Sequence, residues 1–191
     1  MNIKFFVFAA AATLLFAACK KEKNETPTEN SNEEITTVKL TFTNAANAAD
    51  KVTASWKDLD GAAGNNPVID PISLKANTTY NVTTELLDER KSPADTITHE
   101  VEEEGDEHRI FHLFFLNANA SVGDSLSNVA TVTPLDKDAN ELPVGLEVTI
   151  ATKGAFAGFL RTVVRHQPGN KDGSYAPGST DALTEFPLEI K

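Results

Sequence analysis

One cysteine, one tryptophan and two tyrosines occur in 191 residues. The lone Cys19 excludes an internal disulfide and any multi-thiolate metal cluster. A chain without disulfides must rest on its own core, and the residues from Ile35 onward are enough for one self-sufficient domain. Cationic side chains are scarce too. Seventeen Lys and Arg stand against 28 Asp and Glu, a formal charge of −11. Such a surface repels nucleic-acid phosphates and anionic headgroups, so nucleic acid is excluded as a partner and cations become natural ligands. Catalytic signatures are missing as well. No G-x-S-x-G occurs, no serine adjoins a histidine, and the glycine-bearing loops lack the spacing and lysine of phosphate sites. Trp56, Tyr80 and Tyr175 make no aromatic platform for a sugar, and Trp56 falls in a strand pattern that reads as core. The chain reads as a protein without enzymatic turnover.

What is present begins with MNIKFFVFAAAATLLFAAC. Lys4 precedes an apolar run from Phe5 to Phe16, then Ala17, Ala18 and Cys19. The run is shorter than the roughly 20 apolar residues a spanning helix needs, and reads as a secretory signal. The cysteine directly after two alanines makes it resemble a bacterial lipoprotein signal, with Phe16 where leucine is usual and Leu15 one residue earlier. The expectation is therefore a signal peptide over 1–18, removed on export, and a palmitate-bearing Cys19 that anchors the chain in a lipid bilayer. Loss of Lys4 with the signal leaves a formal charge of −12. Residues 20–34, KKEKNETPTENSNEE, contain no apolar side chain. With Cys19 they read as a lipidated, disordered tether over 19–34 that holds a folded domain, 35–191, just off a membrane.

From Ile35 the pattern changes to period two. TTVKLTFTN places Val38, Leu40 and Phe42 on one face and Lys39, Thr41 and Thr43 on the other. KVTASW, TTYNVTTEL, NVATVT, VGLEVTIAT, GFLRTVVRH and LTEFPLEI read the same way, with Gly, Asn, Asp and Pro clustered between them. RIFHLFFL (109–116) is continuously apolar and predicts a central strand covered on both faces. One segment predicts a helix near 93–105: Ser92, Pro93 at the first helical position, Asp95 at the capping-box position, and Ile97 and Val101 four apart. The expected fold is mainly β, an immunoglobulin-like antiparallel β-sandwich of about eight strands with one short helix.

The densest chemistry lies in EEEGDEHRIFH (102–112), where imidazoles adjoin carboxylates, a set suited to zinc and other borderline divalent ions. If 108–116 is a strand, His108 and His112 lie roughly 13 Å apart and cannot share an ion. His108 therefore needs a partner from elsewhere. His166, at the end of GFLRTVVRH, is the candidate, with Glu104 as the carboxylate. Calcium is the alternative. In DKDANELPVGLE, Asp136, Asp138, Asn140 and Glu147 occupy the first, third, fifth and twelfth positions of an EF-hand-like loop, although Glu141 replaces the sixth-position glycine.

TVKLTFTN, WKDLDGAAGNNPVID, LKANTTYNVTTELLDE, ITHEVEEEGDEHRIF, LPVGLEVT and VVRHQPG together resemble a family of small outer-membrane lipoproteins labelled "type 1 periplasmic binding fold superfamily protein". The resemblance runs from Val38 to the C-terminus. Its most specific parts are Asp58-x-Asp60-Gly61, Glu104 to His108, and His166-x-Pro168. It implies a location at the cell outer membrane, a TonB-dependent receptor as partner, and a part in metal or small-solute uptake. The label names a two-lobed α/β fold, whereas strand follows strand here with one helix candidate, so the residue pattern keeps the β-sandwich. The functional expectation is a non-catalytic binding or accessory module. The alternative is a structural subunit of an outer-membrane complex with no ligand of its own, which should show an exposed apolar patch or an unpaired edge strand.

Overall fold

The computed structural model describes residues 33–61 and 63–191. The expected signal peptide, Cys19 and the expected tether as far as Asn32 lie outside the described residues. The chain runs β1 (Thr37–Asn44), β2 (Lys51–Lys57), β3 (Val68–Ile69), β4 (Ile72–Leu74), β5 (Thr79–Leu87), α1 (Ile97–Glu103), β6 (His108–Phe115), β7 (Ala130–Pro134), β8 (Glu147–Thr152), β9 (Phe156–His166) and β10 (Ser179–Ile190). Six strands form one sheet in the order β3-β2-β1-β5-β8-β7, and four form the other in the order β4-β10-β9-β6. The protein is mainly β and consistent with a β-sandwich, as the alternation implies.

The period-two residues build the core. Val38, Leu40 and Phe42 are fully buried. Across the ladder they face Trp56, Ala54 and Val52 of β2, and Leu86, Thr84 and Val82 of β5. Ile110, Phe114, Leu160, Val164, Phe186, Leu188 and Ile190 join them in one cluster from the second sheet.

Three details differ from the sequence expectation. The β4–β10 pair is parallel, so the smaller sheet is mixed, and β3 and β4 were too short to show a period. RIFHLFFL is the edge strand β6, not a central one. Its outward aromatics are covered by cations rather than by a further layer: Arg161 lies 4.0 Å from the Phe115 ring centre and Arg109 4.5 Å from that of Phe111. The helix is shorter than 93–105. The backbones of Asp88 and Asp95 exchange two 3.0 Å hydrogen bonds, which holds Asp95 extended, and its carboxylate turns to Lys91 instead of capping. α1 thus begins only after Thr96, with Ile97 and Val101 buried, and ends at Glu104.

The residues ahead of β1 already belong to the folded unit. Ile35 N–H donates to the Glu33 carbonyl, and Arg90 reaches Glu34 at 2.5 Å. Glu33 and Glu34, expected in the tether, therefore belong to the folded unit.

Candidate metal centre

β6 and β9 pair antiparallel in a register that sets His108 directly opposite His166. Both side chains turn to the inner face, at the end of the sandwich beside α1. His108 is fully buried and His166 is 7% exposed. Their rings stack with centres 4.8 Å apart and planes 4° apart.

β10 adds the third member. It pairs with β9 as Thr180–Arg165 and then as Ala182–Val164, so Asp181 is the extra residue of a bulge. By strict alternation Asp181 would share the outward face of Leu183 and Glu185. The bulge turns its carboxylate inward, where the side chain is 0% exposed and Oδ2 lies 3.7 Å from His108 Nε2. One ligand atom from each of His108, His166 and Asp181 falls within 4.8 Å of the others. Four-coordinate zinc with bonds of about 2.0–2.1 Å places its ligands roughly 3.3 Å apart, so a contraction of well under 2 Å closes the set.

The hydrogen bonds leave the correct lone pairs free. His108 Nδ1 donates to the Glu104 carbonyl at 3.1 Å, so its Nε2 carries the lone pair. His166 Nε2 donates to the Glu107 carboxylate at 3.4 Å, which leaves Nδ1 as the acceptor. This outer support of ligating imidazoles is the usual arrangement around metals. His108 Nε2, His166 Nδ1 and both oxygens of Asp181 are buried and find no hydrogen-bond partner among the described residues. Burial holds His108 below its ordinary pKa and raises Asp181 to about 6. His108 is thus a neutral donor at pH 7.

The surrounding loops fix these strand ends. Gln167 N–H donates to the Glu107 carbonyl at 2.6 Å, and the Gln167 amide donates to the carbonyls of Ser174 and Pro177, both at 3.0 Å. Gly178, at φ +78°, completes the return into β10; a Cβ there would meet the His166 carbonyl oxygen at 1.9 Å. Lys171 reaches the Gly105 carbonyl and Asp138, each at 2.7 Å, and ties the same loop to the end of α1.

Sequence reasoning brought His108 and His166 together but named Glu104 as the carboxylate. The Glu104 carbonyl touches His108, while its exposed carboxylate belongs to a second converging group, Glu33, Glu104 and His108, again within 4.8 Å. Asp181 was missed because the bulge breaks the parity on which strand reading depends. His112 does not reach the site. It lies between the sheets, with Nδ1 3.1 Å from Thr162 Oγ1 and Nε2 3.4 Å from the Gly145 carbonyl.

The calcium loop is not assembled. Asp136 accepts the N–H groups of Gly145, Leu146 and Glu147, and Asp138 accepts those of Asn140 and Leu142 besides Lys171. These carboxylates hold the loop's own backbone. Asn140 and Glu147 lie exposed, and neither converging group among the described residues includes Asp136, Asp138 or Glu147.

Clefts of about 160 to 270 Å³ open elsewhere on the domain, none of them lined by His108, His166 or Asp181. No protein-family model, curated protein or solved structure matches the chain.

Proposed function

We propose that this protein is an exported, lipid-anchored accessory module that binds one borderline divalent metal ion, zinc foremost, without turning over a substrate. The observation that carries the reading is the buried Asp181 carboxylate facing two imidazole lone pairs, none of the three with a hydrogen bond to spend. Leaving a carboxylate and two acceptors unpaired in a core costs several kcal/mol, and a divalent cation offsets that cost with one set of bonds. Two nitrogens and one oxygen suit zinc better than the hard cations calcium and magnesium.

The anchoring half rests on the lipoprotein-like start, Cys19 and the apolar-free stretch that follows. The resemblance to small outer-membrane lipoproteins supports a TonB-dependent receptor as partner and metal acquisition as the setting. An acidic surface suits cation capture. The alternative, a structural subunit of an outer-membrane complex, draws on Leu59 and Val68. They are 47% and 71% exposed and line one cleft beside β3, at an edge of the larger sheet.

Thermal unfolding in zinc tests the metal reading. Zinc at 100 times its dissociation constant should add about 2.7 kcal/mol of stability and raise the melting temperature. A His166→Ala variant should show no such rise. An unchanged melting temperature of the unmutated protein in excess zinc would refute the proposal.

A further inference from the structure

Two neutral imidazoles and one carboxylate leave a divalent ion with a net charge of +1 inside the sandwich. A buried net charge is costly, so the site calls for a second anion. Two carboxylates converge on the same histidine. Glu33 and Glu104 each bring an oxygen within 4.8 Å of one another and of a His108 nitrogen. Glu104 stands exposed at the end of α1, where water already solvates it. Glu33 is half-buried, hydrogen-bonds to Glu100 and feels the charge of Asp181. It is the more buried of the two, and although it converges with His108 and not with His166 or Asp181, a side-chain movement about that shared imidazole would bring it to an ion held there.

We infer that Glu33 supplies the fourth ligand of that ion, so that the segment leading into β1 is a removable arm of the metal site. This rests on the metal-site reading above. Two imidazoles and two carboxylates complete a tetrahedral, electrically neutral zinc centre. Three of the ligands stand on adjacent strands of one sheet and are fixed by its ladders. The fourth stands ahead of Ile35, which packs against the core, and is held by the Ile35–Glu33 backbone turn, by its own hydrogen bond to Glu100 and by the neighbouring Glu34–Arg90 pair, whose side chains are 71% and 45% exposed. Exposed ion pairs contribute little and weaken in salt, so Glu33, which lies outside every strand ladder, separates from the ion more readily than the three strand-borne ligands. A ligand on such an arm gives a transfer site its release step: displacing Glu33 leaves a three-coordinate ion open to an incoming ligand of an acceptor protein.

The test uses the full chain loaded with cobalt(II), and separately with zinc. Four-coordinate cobalt(II) shows strong visible bands that weaken when water replaces a protein ligand and the coordination number rises. Glu33→Ala should weaken and shift those bands and speed zinc transfer to a chromophoric chelator by at least about tenfold, since losing even an outer-shell partner costs 10–100-fold in affinity. Glu33→Gln, which keeps the side-chain shape, should behave likewise while melting as the unmutated protein does. Unchanged bands and transfer rate in both variants would overturn the inference and leave the three-residue site standing, as would a loss produced by Glu104→Gln instead. If the unmutated chain takes up neither metal, the metal-site reading itself fails and this inference falls with it.

Discussion

His108 and His166 are cross-strand partners whose rings stack 4.8 Å apart, 58 positions apart in the chain, each with one nitrogen tied to a glutamate or its backbone and the other turned to Asp181. Their planes are nearly parallel, so their in-plane lone pairs do not yet converge, and an ion shared by both would require the rings to tilt toward each other. The site is thus built at the end of a ladder that the core holds rigid, and it needs only side-chain movement to close.

Asp181 should set binding against stability. In the metal-free protein its buried carboxylate has no donor among the described residues. Asp181→Asn removes that charge, so the metal-free variant should be more stable than the unmutated protein at pH 8, by about 1–3 kcal/mol. Zinc should stabilise the variant far less. Urea unfolding with and without zinc measures both effects; a variant less stable in the absence of metal would contradict the assignment.

His112 should give the fold a pH dependence of its own. Burial between the sheets lowers its pKa from the ordinary 6.5 to about 4. The unfolded chain takes up a proton below 6.5 that the native state refuses until about 4, so stability is full above 6.5 and falls as the pH drops through that window. A gap of this size corresponds to about 3 kcal/mol. Relative to His112→Gln, the unmutated protein should lose about that much between pH 7.5 and pH 4. Parallel urea midpoints for the two proteins across that range would show the histidine uninvolved.

Lys171 and Asp138 form an ion pair that is 2% and 1% exposed. Asp138 also accepts two backbone N–H groups, whereas Lys171 adds only the Gly105 carbonyl. Asp138→Ala leaves a buried ammonium without its counter-ion and should cost about 3–5 kcal/mol. Lys171→Met keeps the packing and the loop's own hydrogen bonds, so it should cost clearly less. Chemical denaturation of the two variants gives the order, and the reverse order would contradict it.

Much of this was legible in the residues. Val38, Leu40 and Phe42 alternate in the sequence and are fully buried in β1, because one face of an inner strand meets the second sheet. His166 could be matched to His108 because each stands at one end of a strand-like run. Other features depend on tertiary packing and left no local mark. Phe111 and Phe115 made β6 look central, although guanidinium groups, not strands, cover them. Asp181 sits one register step out of phase, and no period reveals a bulge in advance. Glu104 was the nearer acid in sequence, and the fold gives it two parts: its carbonyl accepts from His108, and its exposed carboxylate converges on the same imidazole with Glu33 rather than with His166 and Asp181.

The most direct test is the zinc content of the purified full chain, measured by mass spectrometry after equilibration with zinc and dialysis, beside Asp181→Ala and the His108→Ala, His166→Ala double variant. The account predicts about one zinc per unmutated chain and none above background in either variant whose far-ultraviolet circular dichroism remains that of the unmutated β protein. A natively folded, unmutated chain that retains no zinc, or variants that retain as much as it does, would contradict it.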